Sequence, residues 1–206
     1  MRGILAMKAV RSLILAAMAG AITLSTPVAA QRMSDGYTFL KAVRDNDGTK
    51  AADLIDAPGS TVLLYKDPTS GEAAIHEVVK KRDGRWLSYL LGKGARADMQ
   101  SGQGDTALTL AAQMGWTAGA EILIARKANV NVQDNRGQTP LILAVQRRDA
   151  NMVRMLVEAG ANPKIGDRIA GYNALDYARQ DPRAEAVLKI MEQPAKPAKE
   201  FVGPKF

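Results

Sequence analysis

The chain has 206 residues, 47% of them hydrophobic and 24% charged, the balance of a globular protein with room for one or two domains. It has no cysteine and a single histidine, His76, which excludes disulfides, thiolate metal sites and cysteine nucleophiles and leaves any histidine-based triad or metal site with one ligand. The formal charge of +7 suggests nucleic acid, but aromatic residues make up only 5%, too few for rows of base-stacking platforms.

Residues 1–30 read as an export signal. Arg2, Lys8 and Arg11 precede a run of small and apolar residues from Ser12 to Leu24, with no Asp or Glu before Asp35. Pro27 breaks any helix, and Val28-Ala29-Ala30 places small residues before Gln31. The run is shorter than the ~20 residues that span a bilayer. The expectation is a signal peptide cut after Ala30, a short lead at 31–35, and export of the remainder to the periplasm or the medium. Removing the three cations leaves 25 Lys+Arg against 21 Asp+Glu. Discounting Lys196, Lys199 and Lys205 against Glu200 leaves a body near +2, a weak attraction for nucleic acid. No second long apolar run follows, so no membrane span is expected after cleavage.

The body repeats itself. Gly71-Glu-Ala-Ala-Ile-His76 is followed by Gly104-Asp-Thr-Ala-Leu-Thr109, Gly137-Gln-Thr-Pro-Leu-Ile142 and Gly171-Tyr-Asn-Ala-Leu-Asp176, with glycine spacings of 33, 33 and 34. A weaker copy, Gly36-Tyr-Thr-Phe-Leu-Lys41, precedes them by 35. A second marker keeps the same step: Leu90-Leu91 with Gly94-Ala95, then Leu123-Ile124 with Lys127-Ala128, then Leu156-Val157 with Gly160-Ala161. Two markers at one period define a repeat array.

Each unit parses as a turn and two helices. The glycine suits a tight turn that needs positive φ. Thr106 and Thr139 suit helix N-caps, and Pro140 suits a first helical position. Ala107, Leu108, Ala111 and Ala112 recur at three- and four-residue steps, giving a small-residue face for close stacking. Ala120, Ile122, Leu123 and Ile124 form the second helix, and Gly94 and Gly160 suit left-handed helix ends. Lys127 replaces that glycine in the third unit.

These motifs resemble the ankyrin repeat family, most closely in Gly137-Gln-Thr-Pro-Leu and Leu156-Val-Glu-Ala-Gly-Ala-Asn162. The resemblance implies an all-α solenoid of about five helix–turn–helix units with β-turn tips over 36–192. The expected units are 36–66, 67–100, 101–133, 134–167 and 168–192, followed by a Pro/Lys-rich flexible tail at 193–206. It also implies a scaffold that binds a protein partner, while the absence of cysteine, the single histidine and the lack of a converging acid–base set lead to the expectation of no enzyme activity, no metal and no cofactor. The first unit departs by Phe39 in the proline position and by an extra stretch, Thr61–Tyr65. The fifth departs by Pro182 and by Arg179 where a small buried residue is expected. Terminal units must turn one polar face to water, so weak ends fit the stacking.

Candidate contact residues fall in two rows. Equivalent ends of the first helices carry Lys80 and Lys81, Gln113 and Met114, and Gln146 and Arg147. They form either a solvated face or a basic groove for an acidic partner segment. The turn tips carry Ser70, Glu72, Gln103, Asp105, Arg136, Gln138 and Tyr172. Trp116 is a further candidate hot spot, whereas Trp86 is expected to pack with Tyr89 and Leu90. His76 is expected to bond turn backbone between neighbouring units. The protein is expected to be a monomer. The competing class is an enzyme or a binder of small anions using the basic groove.

Overall fold

The computed structural model describes residues 28–193, with side-chain surroundings from residue 35 onward. The repeat body belongs to the unit formed by residues 32–206. Among the described residues there are ten α-helices, two single 3-10 turns and no strand. The helices are α1 (Val28–Arg44), α2 (Gly48–Asp56), α3 (Ala74–Lys80), α4 (Gly84–Gly92), α5 (Ala107–Met114), α6 (Thr117–Ala125), α7 (Pro140–Gln146), α8 (Ala150–Glu158), α9 (Ala174–Gln180) and α10 (Glu185–Glu192). They fall in five successive pairs along the chain, and α3 packs on α4, α5 on α6, α7 on α8 and α9 on α10. The inner helices α3, α5, α7 and α9 stack in sequence, as do the outer helices α4, α6, α8 and α10.

The sequence sets the helix ends locally. Inner helices start on side chains that accept from N3 amides: Thr106 from Thr109, Thr139 from Ile142, and Asn173 from Asp176. Outer helices start on aspartates, with Asp47 accepting from Lys50, Asp83 from Arg85 and Trp86, and Asp149 from Met152. In the third pair Trp116 takes that place without a side-chain cap.

The stack is held by buried small and aliphatic residues. Ala107, Leu108, Ala111 and Ala112 are all fully buried on α5, and Leu141, Ile142 and Ala144 on α7. The inner helices therefore carry large aliphatics as well as alanines. Leu87, Leu90, Leu123, Met152, Val153 and Leu156 fill the space from the outer row. A buried Leu of this kind stabilises by about 2 kcal/mol relative to an exposed one.

The turn glycines adopt the left-handed conformation, with φ of 68° at Gly71, 78° at Gly104, 80° at Gly137 and 72° at Gly171. Gly36 does not belong with them. It lies inside α1, against the ring of Tyr65, where a side chain would collide. The weak first copy is thus a close-packing glycine rather than a turn glycine. The extra stretch 61–65 explains it: Val62 is buried, and the chain folds back so that Tyr65 covers α1. The expected signal segment lies outside the described residues up to residue 27, and the expected cut after Ala30 falls in the first turn of α1. The expected tail at 193–206 lies outside them from residue 194.

Candidate protein interface

The turn tips form one continuous backbone ladder. Each turn closes on itself through an amide at its start: Asp67 donates to Glu72 (2.8 Å), Ser101 to Asp105 (2.9 Å), Asp134 to Gln138 (3.0 Å) and Asp167 to Tyr172 (3.0 Å). Neighbouring turns are then tied together. The Gly102 amide donates to the Ser70 carbonyl (2.9 Å), the Asn135 amide to Gln103 (3.1 Å) and the Arg168 amide to Arg136 (2.8 Å). Each left-handed glycine sits directly under the next turn, so a side chain at Gly71, Gly104 or Gly137 would strike Gly102, Asn135 or Arg168. Loops tied at every repeat lose little freedom when a partner docks, which lowers the entropic cost of binding.

Aspartates hold the turns in shape. Asp134 is buried and accepts from the amides of Arg136 (2.9 Å) and Gln138 (2.7 Å). Asp167 accepts from the amides of Ile169, Ala170 and Gly171 and from the Tyr177 hydroxyl. Burial alone would raise its carboxyl, but these donors outweigh it and hold the group below the ordinary value. In Asp105 the balance reverses: burial, then the charge of Asp134, pushes the carboxyl up.

On this frame the expected tip residues separate. Ser70, Gln103, Arg136 and Tyr172 are exposed, although Arg136 also pairs with its own Asp134 (3.3 Å). Glu72 is partly covered and paired with Lys80, and Asp105 is half-buried. Gln138 is 7% exposed, because the turn closes over it, and offers a partner no surface.

The basic row works mostly between repeats. Lys81 donates to the carbonyls of Val43 (3.0 Å) and Arg44 (2.6 Å) and to Asn46 Oδ1 (2.8 Å), closing the end of α1 in the preceding unit. The Arg147 guanidinium lies over Gly115 of the preceding unit. Two residues that the sequence places at the same helix ends, but outside the candidate row, reach the other way. Arg82 donates to the Met114 carbonyl (2.7 Å), and Arg148 to Asp181 (2.9 Å). Both stand at φ near 55–57°, the same helix-ending position that Gly115 fills in the third unit at 65°. A left-handed arginine costs about 1 kcal/mol or more, and the bridge to the next unit offsets it. Their signal was the Arg82–Gly115–Arg148 alignment at 33 residues. Gln113 and Gln146 are exposed, while Met114 is half-buried.

Both tryptophans are half-buried. Trp86 meets Tyr89 edge to face at 5.4 Å, and the two line a shallow slot of about 270 Å³ with Gly48, Ala52 and Arg85. Trp116 lies flat over Gly119, where any side chain would collide. His76 is completely buried. Its Nδ1 accepts from the Ala73 amide (3.0 Å), so Nε2 carries the proton and donates to the carbonyls of Met99 (2.8 Å) and Asp105 (3.0 Å). Burial lowers its pKa below 6.5. The ring does the work that Thr109 does one unit later, and in addition ties the next turn to its own.

Among the described residues no helix is long and apolar enough to cross a membrane, and no three metal-ligating side chains converge. The family model described as ankyrin repeats (3 copies) matches residues 75–167 and 119–198, together more than half of the chain. The helix pairs, the 33-residue step and the tied turn tips agree with that match. The chain belongs to the ankyrin repeat family, whose repeats generally mediate protein–protein interaction.

Proposed function

We propose that this chain is exported, loses residues 1–30, and acts as a non-enzymatic scaffold that binds one protein partner along its turn tips. The observation that carries the reading is the row Ser70, Gln103 and Arg136, exposed at one 33-residue step and fixed by backbone bonds between turns. The exposed Arg136 and Arg168 at the fourth and fifth turns suit an acidic segment of that partner. The inner-helix ends play a lesser part, since Lys81 and Arg147 are already engaged between units. Binding in the periplasm would assemble, protect or inhibit the partner.

The test is capture from the exported fraction with the wild type and two folded variants. Gln103→Glu with Arg136→Glu is expected to lose the partner. Lys80→Glu with Gln146→Glu is expected to keep it. The opposite pattern would move the site to the inner-helix ends, and capture of nothing by the wild type would defeat the scaffold reading. Export is checked separately by mass spectrometry, where a chain beginning at Gln31 is expected and one retaining Met1 would refute cleavage.

A further inference from the structure

The outer helices do not all pack alike. α4, α6, α8 and α10 stack closely in turn, whereas α2 makes no comparable contact with α4. The slot of about 270 Å³ occupies that gap. Gly48 and Ala52, four residues apart on one stripe of α2, form its floor. Trp86 and Tyr89 form its wall, with the Trp86 ring 3.4 Å from where a Gly48 side chain would begin. The aromatic wall is not part of the repeat. One and two units later the same positions hold Gly119 and Ile122, then Met152 and Met155. Both rings are only half-buried, so the slot shows aromatic and alanine surface to water.

The two ends of the slot differ in charge. At one end Lys93 pairs with Asp56 (2.6 Å), four residues on from Ala52, and lies 5.6 Å from the centre of the Tyr89 ring, so its charge is cancelled. At the other stands Arg85, exposed and in no ion pair among the described residues. Arg85 also lines a second, wider hollow of about 580 Å³ with Lys81, Arg82, Asp83, Gly84 and Ile122. There Lys81 and Arg82 donate to neutral oxygens, so their hydrogen bonds are used while their charges are not cancelled. The one acid, Asp83, accepts from the amides of Arg85 (3.0 Å) and Trp86 (2.9 Å) at the start of α4. Three cations against one carboxylate leave the hollow near +2, in a concavity that focuses the field.

An apolar slot and a cationic hollow therefore meet at Arg85. They lie at the end of α3 remote from its turn, outside the turn-tip surface. Trp, Tyr and Arg are the residue types that anchor interfaces, and a ligand that fills both hollows is apolar in one part and anionic in the next. We infer that this surface is a second docking site, which takes an acidic peptide segment carrying one large apolar residue. The apolar side chain enters between Trp86, Tyr89 and Ala52, and neighbouring carboxylates meet Arg85 in the field of Lys81 and Arg82. A flat bilayer surface would leave a slot between two helices unfilled, which favours a protein segment as the occupant. The inference does not depend on the turn tips being a binding surface.

The test uses the full chain, whose two tryptophans give two indole N–H signals in NMR spectra; Trp116→Phe assigns them. The probe is the capped peptide Glu-Glu-Phe-Glu-Glu, beside one with alanine at its centre and one with lysine in place of glutamate. The first is expected to shift the Trp86 indole saturably, and the other two to bind at least ~10-fold more weakly. Arg85→Glu places an acid that suits a helix start, so it should keep thermal unfolding unchanged while weakening the peptide at least ~10-fold. Ala52→Leu fills the slot without altering charge and should weaken it likewise; if the leucine disturbs the fold, Arg85→Glu and the alanine peptide still decide. Arg136→Glu should leave the affinity unchanged. The inference is overturned if no peptide shifts Trp86, if the alanine peptide binds as well as the first, or if Arg85→Glu has no effect. Equal weakening by Arg136→Glu would overturn it in favour of overall charge. A Trp86 shift with phosphatidylglycerol vesicles and not with peptide would overturn it in favour of a membrane surface. A shift on raising the protein's own concentration would overturn it in favour of a second copy.

Discussion

In the first unit the chain folds back on itself: Val62 is buried, Tyr65 lies against Gly36, and Ser60 Oγ donates to the Leu54 carbonyl (2.6 Å). In the fifth unit the inner-helix face pointing away from the stack is polar instead. Val79, Ala112 and Val145 hold one position in three successive units and are buried under the unit that follows. At the same position Arg179 is exposed and donates to Glu192 (3.2 Å). A solenoid end needs either a cover or a face that tolerates water, and this chain uses one device at each terminus. The first device depends on shape complementarity and the second on composition, so the two ends should fail differently when altered.

The largest effect is expected from moving the terminal residue inward. Val145→Arg places an unpartnered cation under the fifth unit and should cost about 3 kcal/mol or more, whereas Arg179→Val should change stability by less than about 0.5 kcal/mol. Thermal unfolding of both variants checks this, and equal losses would erase the distinction between the buried and terminal positions. Next, Gly36→Leu would push Tyr65 off α1, with a loss of about 1–3 kcal/mol from overpacking. Hydrogen exchange should show the loosening confined to residues 35–65, and a uniform change would mean that the first unit is not separately covered.

A smaller, pH-dependent effect is expected inside the stack. The folded pKa of His76 is below its unfolded value of 6.5, so the unfolded chain binds a proton first. Stability is present in full above that value and is lost as pH falls through the folded pKa. Ala73→Thr with His76→Thr would install the Thr106–Thr109 arrangement in the second unit. It should flatten the change below pH 6.5, and a slope equal to that of the wild type would assign the acid response elsewhere. The smallest effect is expected from Asp105→Asn. Its raised carboxyl pKa means that the charged form is disfavoured in the fold, so the variant should melt slightly higher at pH 7 and no higher at pH 3.

The helix pairs and turns were legible because stacking repeats the same burial every 33 residues, so Ala111, Ala144 and the turn glycines announce themselves by position. Arg179 was legible as a departure for the same reason. Gly36 misled, because a glycine kept for close approach of Tyr65 is spelled like one kept for positive φ. The basic row shows a different limit. Spacing places Lys81, Arg82, Arg147 and Arg148 at helix ends, but a flexible side chain chooses between solvent, the preceding unit and the next. That choice rests on where neighbouring carbonyls and Asp181 lie. Gln138 was misjudged because a turn closed by the Asp134 amide turns the residue after its glycine inward.

The burial of the one histidine has a consequence for the outside of the molecule. Every other ionisable side chain in the sequence is an acid, a lysine, an arginine or a tyrosine, residue types whose ordinary values lie well outside the neutral range. With His76 sealed and neutral, no side-chain type left for the surface has an ordinary value between about pH 6 and about pH 9. Mild acid is therefore felt by the fold before it is felt by the face. A pH dependence of partner binding within that range would therefore point to the partner or to the chain's own α-amino group, whose ordinary value falls there.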